Sequence, residues 1–186
     1  MSDVRQQIVA QYAQWTALSA LRSGAPIKSR RDVYTVLGTV NFDRLFDKSR
    51  GPINGSEFGD WHRATIASMQ SFEPRLNVGW ATKIVNVYLK TRCYIGGQGR
   101  HHLSDVIHPP IDKGLWLGLS RRFGDREDIL AQSHCVERIK DIGDYGCYSR
   151  VIGGCRLAAK ALACKLIEVE QLWAGTEFVE RRSNVC

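Results

Sequence analysis

Residues 76–90 read LNVGWATKIVNVYLK, and their apolar side chains recur with the period of an α-helix. After Gly79, five of them follow at positions i, i+3, i+4, i+7 and i+8: Ala81, Ile84, Val85, Tyr88 and Leu89. Side chains with this spacing lie on one face of a helix, which is typical of a helix packed on a core. The stretch therefore predicts a core helix from about residue 80 to residue 91.

Two segments before this helix also predict helices. Residues 2–22 space their apolar side chains three to four apart, as an amphipathic helix requires: Ile8, Tyr12, Trp15 and Leu18. Further along the chain, Ser56 is a predicted N-cap, since its hydroxyl can accept a hydrogen bond from the first helical turn. The helix that it begins would carry one apolar face: Phe58, Trp61, Thr65, Met69 and Phe72.

The segments after residue 100 continue the helical pattern. Asp112 and Asp125 are predicted to cap two helices, and residues 145–173 predict a long helix that the Gly153–Gly154 pair bends or splits. Residues 177–186 are predicted to fray. Strand patterns are nearly absent, so the predicted fold is all-α. We expect one compact domain over residues 1–186, with two helical lobes around a cleft as a variant.

The composition is that of an ordinary soluble globular protein. Of the 186 residues, 44% are hydrophobic and 24% are charged. No apolar run approaches the roughly 20 residues that cross a bilayer, and the N-terminus lacks the apolar region of a signal peptide. We therefore expect a cytoplasmic protein without a membrane partner.

Charge and cysteine content bear on partners and metals. The formal charge of +7 favours an anionic partner, and nucleic acid is the commonest one. The basic residues are dispersed in pairs, however, which also fits a protein that merely happens to be basic. Six cysteines are present without any C-x-x-C pair, so we expect reduced, apolar cysteines and no metal site.

Lys83 and Asp112 are the residues that suggest chemistry. A lysine amine attacks only when it is neutral, and burial favours the neutral form. Asp112 follows the rigid sequence HPPI, and capping a helix would fix the direction of its carboxylate. A carboxylate held in this way can stabilise positive charge at a sugar carbon that is losing its base. The two residues could act together if the fold brings them into contact.

The segments LNVGWATK and HPPID resemble the helix-hairpin-helix DNA glycosylase superfamily, which includes endonuclease III-like enzymes and 8-oxoguanine glycosylases. Leu76, Val78 and Gly79 match its hairpin motif when one residue is deleted, and Asn77 stands where the hairpin has Pro-Gly. Lys83 falls near the place of the nucleophilic lysine. The segment from Pro110 to Asp112 matches the one that bears the catalytic aspartate. The similarity covers about forty of the residues.

This resemblance implies an all-α fold with the active site in a cleft between helical lobes. Lys83 would attack the sugar carbon of a flipped nucleotide, and Asp112 would stabilise the developing charge. The expected partner is DNA, contacted by five residues: Arg75, Asn77, Gly79, Trp80 and Arg100. The turn from Asn77 to Gly79 would hold a backbone phosphate, and Arg100 is included because it follows the glycine-rich stretch GGQG, whose backbone amides could also contact phosphates. Trp80 is the candidate for stacking on the flipped base. No cofactor is expected, because the four-cysteine cluster of the iron–sulfur subtype is missing.

Two other functions fit the same sequence. The spacing of Lys83, Asn86 and Lys90 also describes a solvated helix face, in which case the protein would be a non-catalytic module that binds nucleic acid or protein. Alternatively, His101 or His102 could act as general acid or base in a small RNase, together with Arg100 and His108. These histidines follow the glycine-rich stretch GGQG.

Overall fold

The computed structural model describes residues 4–21 and 24–174, and over these ranges the chain is all-α. Nine α-helices follow one another there: α1 Val4–Ser19, α2 Arg30–Gly38, α3 Asp43–Phe46, α4 Gly55–Phe72, α5 Val78–Leu89, α6 Leu103–Val106, α7 Lys113–Arg122, α8 Glu127–Ser133 and α9 Tyr145–Leu162. A π-helical turn, Lys90–Ile95, continues α5, and a 3₁₀ segment, Leu166–Leu172, follows α9. Within these ranges no helix combines the length and the apolar character needed to cross a membrane. The predicted fold class is confirmed, whereas residues 177–186 lie outside the described ranges.

Helix α5 forms the centre of the fold. All twelve of its residues are buried, because α1, α4 and α9 pack around it. The single apolar face predicted from the sequence was therefore too narrow, since polar positions of this helix are enclosed as well. Lys83 is only 7% exposed and Asn86 only 1%. The alternative that placed these two residues on a solvated face is wrong.

Helix α1 packs through its small residues and presents its large ones to solvent. Ala13 and Ala17 are fully buried against the fold, and α1 contacts α5 and the π-helical turn. Ile8, Tyr12 and Trp15 are 60%, 53% and 53% exposed. The predicted helix is thus present, but its predicted core face is wrong. Small residues permit a closer approach of two helices, and here they determine which face is buried.

Several predicted helix ends shift by a few residues. The side chain of Asn54, not of Ser56, caps α4 by accepting a hydrogen bond from the Glu57 amide. Helix α8 begins after Arg126 without a side-chain cap, so the prediction for Asp125 is wrong. Asp112 caps α7 as predicted. Phe72, predicted to lie on the buried face of α4, is 52% exposed at the end of that helix.

Helix α9 runs unbroken through its glycine pair. At Gly154 a Cβ atom would clash with the backbone nitrogen of Ser133, so this glycine permits the close packing of α8 on α9. The glycine pair therefore lies at the contact between α8 and α9, and it does not split α9. Cys147 and Cys155 lie in this helix, while Cys164 lies just beyond its end. The cysteines of the described residues are free thiols.

Candidate functional site

Lys83 and Asp112 meet. Lys83 lies in the second turn of α5, and its Nζ atom is 3.4 Å from Oδ2 of Asp112. The lysine side chain is 8% exposed and the aspartate side chain 25%. The amine also lies 5.9 Å from the centre of the Trp80 ring. A lysine amine thus lies against a single carboxylate oxygen and an aromatic ring, largely shielded from water.

The carboxylate of Asp112 is held by its other oxygen. Its Oδ1 atom accepts hydrogen bonds from the backbone amide of Leu115, at 3.2 Å, and from the indole N–H of Trp173, at 2.7 Å. The first of these bonds caps α7 and the second comes from the end of the 3₁₀ segment. Because Oδ1 is fixed by two donors, Oδ2 is directed at Lys83.

Asn86 joins the helix that carries Lys83 to the segment that carries Asp112. Its amide nitrogen donates to the carbonyl of Pro109, at 3.3 Å, and to the hydroxyl of Tyr148, at 2.8 Å. Its carbonyl oxygen lies 3.0 Å from Nε2 of His62. Asn86 follows Lys83 by one helical turn, and Pro109 precedes Asp112 by three residues. The amide therefore helps to fix the spacing of the two site residues.

The pair faces a cleft of about 540 Å³, a volume within the range of small-molecule sites. Helices α1 and α5, the π-helical turn and the 3₁₀ segment form its walls. Its lining includes Tyr12, Thr16, Lys83, Lys90, Pro110, Asp112, Glu170 and Trp173.

A second ion pair lines the same cleft. Nζ of Lys90 is 2.6 Å from Oε1 of Glu170. Burial raises the pKa of Glu170, and the nearby charge of Lys90 opposes that rise. Glu170 is not among the residues predicted from the sequence, because a partner eighty positions away leaves no local pattern. The raised pKa and the burial are the signals that identify it in the structure.

The turn before α5 is covered by another part of the chain. The amide of Gly79 donates to the carbonyl of Ile142, at 3.1 Å, and Nδ2 of Asn77 donates to the carbonyl of Lys140, at 2.6 Å. A Cβ atom at Gly79 would clash with the carbonyl of Ile139. These groups, predicted to hold a backbone phosphate, are occupied within the protein.

The other predicted DNA contacts are also engaged or buried. Arg75 is exposed but is paired with Glu73 at 2.7 Å. Trp80 is 7% exposed and does not line the cleft. Arg100 is 5% exposed, and its guanidinium donates to Glu57 and to four backbone carbonyls. The guanidinium of Arg100 thus binds its own chain and presents no surface to a phosphate.

The histidines of the RNase alternative do not form one site. His101 and His102 are exposed, and Nδ1 of His102 lies 2.9 Å from Asp105. His108 is 4% exposed, and its Nδ1 atom lies 2.9 Å from the hydroxyl of Tyr148. Burial lowers the pKa of His108 well below its ordinary value. His108 therefore lies in the core, whereas His101 and His102 lie on the surface with their ring centres 4.1 Å apart.

In comparisons with known proteins, no protein-family model, curated protein or solved structure matches this chain.

Proposed function

We propose that this protein is a DNA-binding enzyme of the base-excision glycosylase type, acting on a flipped nucleotide with Lys83 as nucleophile. The observation that carries the proposal is the contact between Lys83 and Asp112 at a cleft of about 540 Å³. The net charge of +7 favours the required polyanionic partner. The resemblance of the LNVGWATK and HPPID segments is consistent with the same chemistry.

The proposed step begins when Lys83 loses a proton to water and becomes neutral, so that Asp112 remains an ionised carboxylate. Its nitrogen then forms a bond to C1′ of the sugar while the bond from C1′ to the base breaks, and the base leaves with the bonding electrons and takes up a proton. The attached amine loses one proton to water, and the bond from C1′ to the ring oxygen then breaks as that oxygen takes up a proton, which leaves the imine that borohydride reduces. Charge builds up on the sugar ring during this step. The carboxylate of Asp112 lies beside the amine and is oriented to stabilise that charge.

Lys90 and Glu170 provide a donor and an acceptor within the same cleft. Their contact at 2.6 Å would have to open for either to bind a base. The edge of a base that presents both an acceptor and a donor could take the place of this ion-pair contact, so that neither Lys90 nor Glu170 is left unpaired. In the proposal this pair recognises the extruded base, whereas Lys83 and Asp112 act on the sugar.

Borohydride trapping tests the proposal. Wild-type protein is incubated with duplexes that each carry 8-oxoguanine, hypoxanthine or an abasic site, and the reduced adduct is resolved by denaturing electrophoresis. We expect a covalent adduct with wild type and none with Lys83→Gln. Lys160→Gln is the matched control, because Lys160 is an exposed lysine in the last turn of α9. An adduct that survives Lys83→Gln, or no adduct with any duplex, refutes the lysine nucleophile and leaves the non-catalytic module.

A further inference from the structure

The outward face of α1 is not used by the core. Tyr12 and Trp15 stack on each other there, with ring centres 5.5 Å apart and an interplanar angle of 20°, and both are 53% exposed. Tyr12 also lines the cleft that contains Lys83. A pair of exposed aromatic rings therefore borders the mouth of the candidate site.

A second cavity lies toward the N-terminal end of the same helix. It has a volume of about 200 Å³ and is lined by Arg5, Gln6, Phe46, Lys48, Arg92 and the turn 96–99. Three of these residues are cationic and none carries a carboxylate. Gly97 and Gly99 have positive φ angles of 66° and 115°, so the turn has a conformation that favours glycine, and Gln98 is its only residue with a side chain. The composition of this lining fits an anion.

Arg92 is held in the cavity by neutral groups. Its Nε atom donates to Gln98, at 2.7 Å, its Nη1 atom donates to the hydroxyl of Tyr88, at 2.7 Å, and the guanidinium lies 3.8 Å from the centre of the Phe46 ring. Across residues 4–21 and 24–174, neither Arg92 nor Lys48 forms an ion pair with a carboxylate. The guanidinium is thus fixed in position while its charge remains uncompensated.

Residues of α1 line both the cavity and the cleft, and the aromatic pair belongs to the same helix. Arg5, Tyr12 and Ser19 are seven residues apart on α1, which places them on the same face, and Tyr12, Thr16 and Ser19 line the cleft. At about 1.5 Å per residue, Arg5 is roughly 10 to 17 Å from Tyr12 and Thr16 along the helix axis. A DNA strand advances about 3.4 Å of axis per nucleotide, so this span corresponds to about three to five nucleotides.

We propose that the outward face of α1 and the cavity of Arg5, Lys48 and Arg92 form a binding track for the DNA strand that flanks the flipped nucleotide. The cavity binds a backbone phosphate of that strand, and Tyr12 and Trp15 stack on an unpaired base at the mouth of the cleft. The choice of ligand rests on the proposed function. The track replaces the phosphate contacts expected from the turn before α5, whose groups are occupied.

Binding of a fluorescein-labelled oligothymidylate, measured by anisotropy over a series of salt concentrations, tests the track. We expect Trp15→Ala to weaken binding roughly 5- to 150-fold, the range for loss of one base–aromatic stack, with little change in salt dependence. Lys48→Ala should lower the slope of log affinity against log salt by about 0.7, the value for one phosphate contact on a single strand. Lys160→Ala should change neither quantity. Circular dichroism verifies the fold of each variant.

The possible results separate the track from the proposed chemistry. If wild type fails to bind the oligonucleotide, or if Trp15→Ala and Lys48→Ala bind like wild type, the track is refuted even when Lys83 is trapped. If both variants weaken binding and no adduct forms, the track holds and the glycosylase proposal fails. Two further results would refute the track: Trp15-dependent binding to phosphatidylserine vesicles in place of the oligonucleotide, or Trp15-dependent self-association in sedimentation.

Discussion

Replacing Asn86 with alanine should destabilise the protein strongly and disturb the candidate site. Asn86 is 1% exposed and binds His62, Tyr148 and the carbonyl of Pro109. Tyr148 keeps a second partner in His108, so the groups that lose their partner are Nε2 of His62 and the Pro109 carbonyl. At about 1 to 3 kcal/mol for each buried group left unpaired, the expected loss is about 2 to 6 kcal/mol. This is a large share of the roughly 5 to 15 kcal/mol that stabilises a typical domain.

Urea denaturation followed by circular dichroism measures this loss. Thr82→Val is the matched control, because Thr82 is also buried in α5. Its hydroxyl donates to the carbonyl of Gly79, one turn earlier in the same helix, and so joins no second segment. We expect the control to cost about 1 kcal/mol, near the net contribution of one hydrogen bond. If Asn86→Ala lowers the free energy of unfolding no more than Thr82→Val does, the hydrogen bonds of Asn86 do not hold α5 to the segment before Asp112. A folded Asn86→Ala protein should also give less trapped adduct, since Asp112 would no longer be fixed relative to Lys83.

Two further changes test the buried network and the packing of α5. Burial lowers the pKa of His62 from 6.5 to about 4, so between these pH values the unfolded chain binds a proton that the folded chain does not. The free energy of unfolding should therefore be highest above about pH 6.5 and fall toward pH 4, by up to about 3 kcal/mol from His62 and further from His108, whose pKa is also lowered by burial. Urea titrations across this range that give a constant value would contradict the burial of neutral histidines. Gly79→Ala places a Cβ against the carbonyl of Ile139, which is backbone and cannot rotate away. We expect a lower thermal midpoint, whereas Gly59→Ala, at an open position of α4, should leave it unchanged or raise it.

The fold class was predictable because local signals agree along the chain. The period of the apolar residues predicted α5, and the position of Asp112 before α7 predicted its cap, which the structure confirms. The orientation of α1 was not predictable from its apolar stripe. A stripe of large residues indicates a helix face, but the buried face here is defined by Ala13 and Ala17. Which face packs depends on how closely α5 and the π-helical turn can approach, and this is a property of the assembled fold.

The site was only partly predictable for the same reason. Lys83 and Asp112 could be selected as residue types, but their contact depends on Asn86 and on the buried segment before Asp112. Glu170 gave no signal, since its partner lies eighty positions earlier in the chain. Arg100 appeared suited to phosphate because it follows a glycine-rich stretch, yet it binds the chain around Glu57. Long-range contacts determine whether a charged residue faces a ligand or its own protein.

A structural ion pair and a catalytic pair can be distinguished by stability. Shielding Lys83 and Asp112 from water costs free energy that their attraction only partly returns, and replacing such a pair with uncharged groups is often neutral or stabilising, by about 1 to 4 kcal/mol. In the double variant Lys83→Met/Asp112→Asn, the asparagine oxygen can still accept from Leu115 and Trp173, so the cap of α7 is retained. We expect this variant to unfold at a urea concentration equal to or above that of wild type and to give no trapped adduct. If it is instead several kcal/mol less stable, the pair serves the fold, and its position at the cleft no longer argues for chemistry.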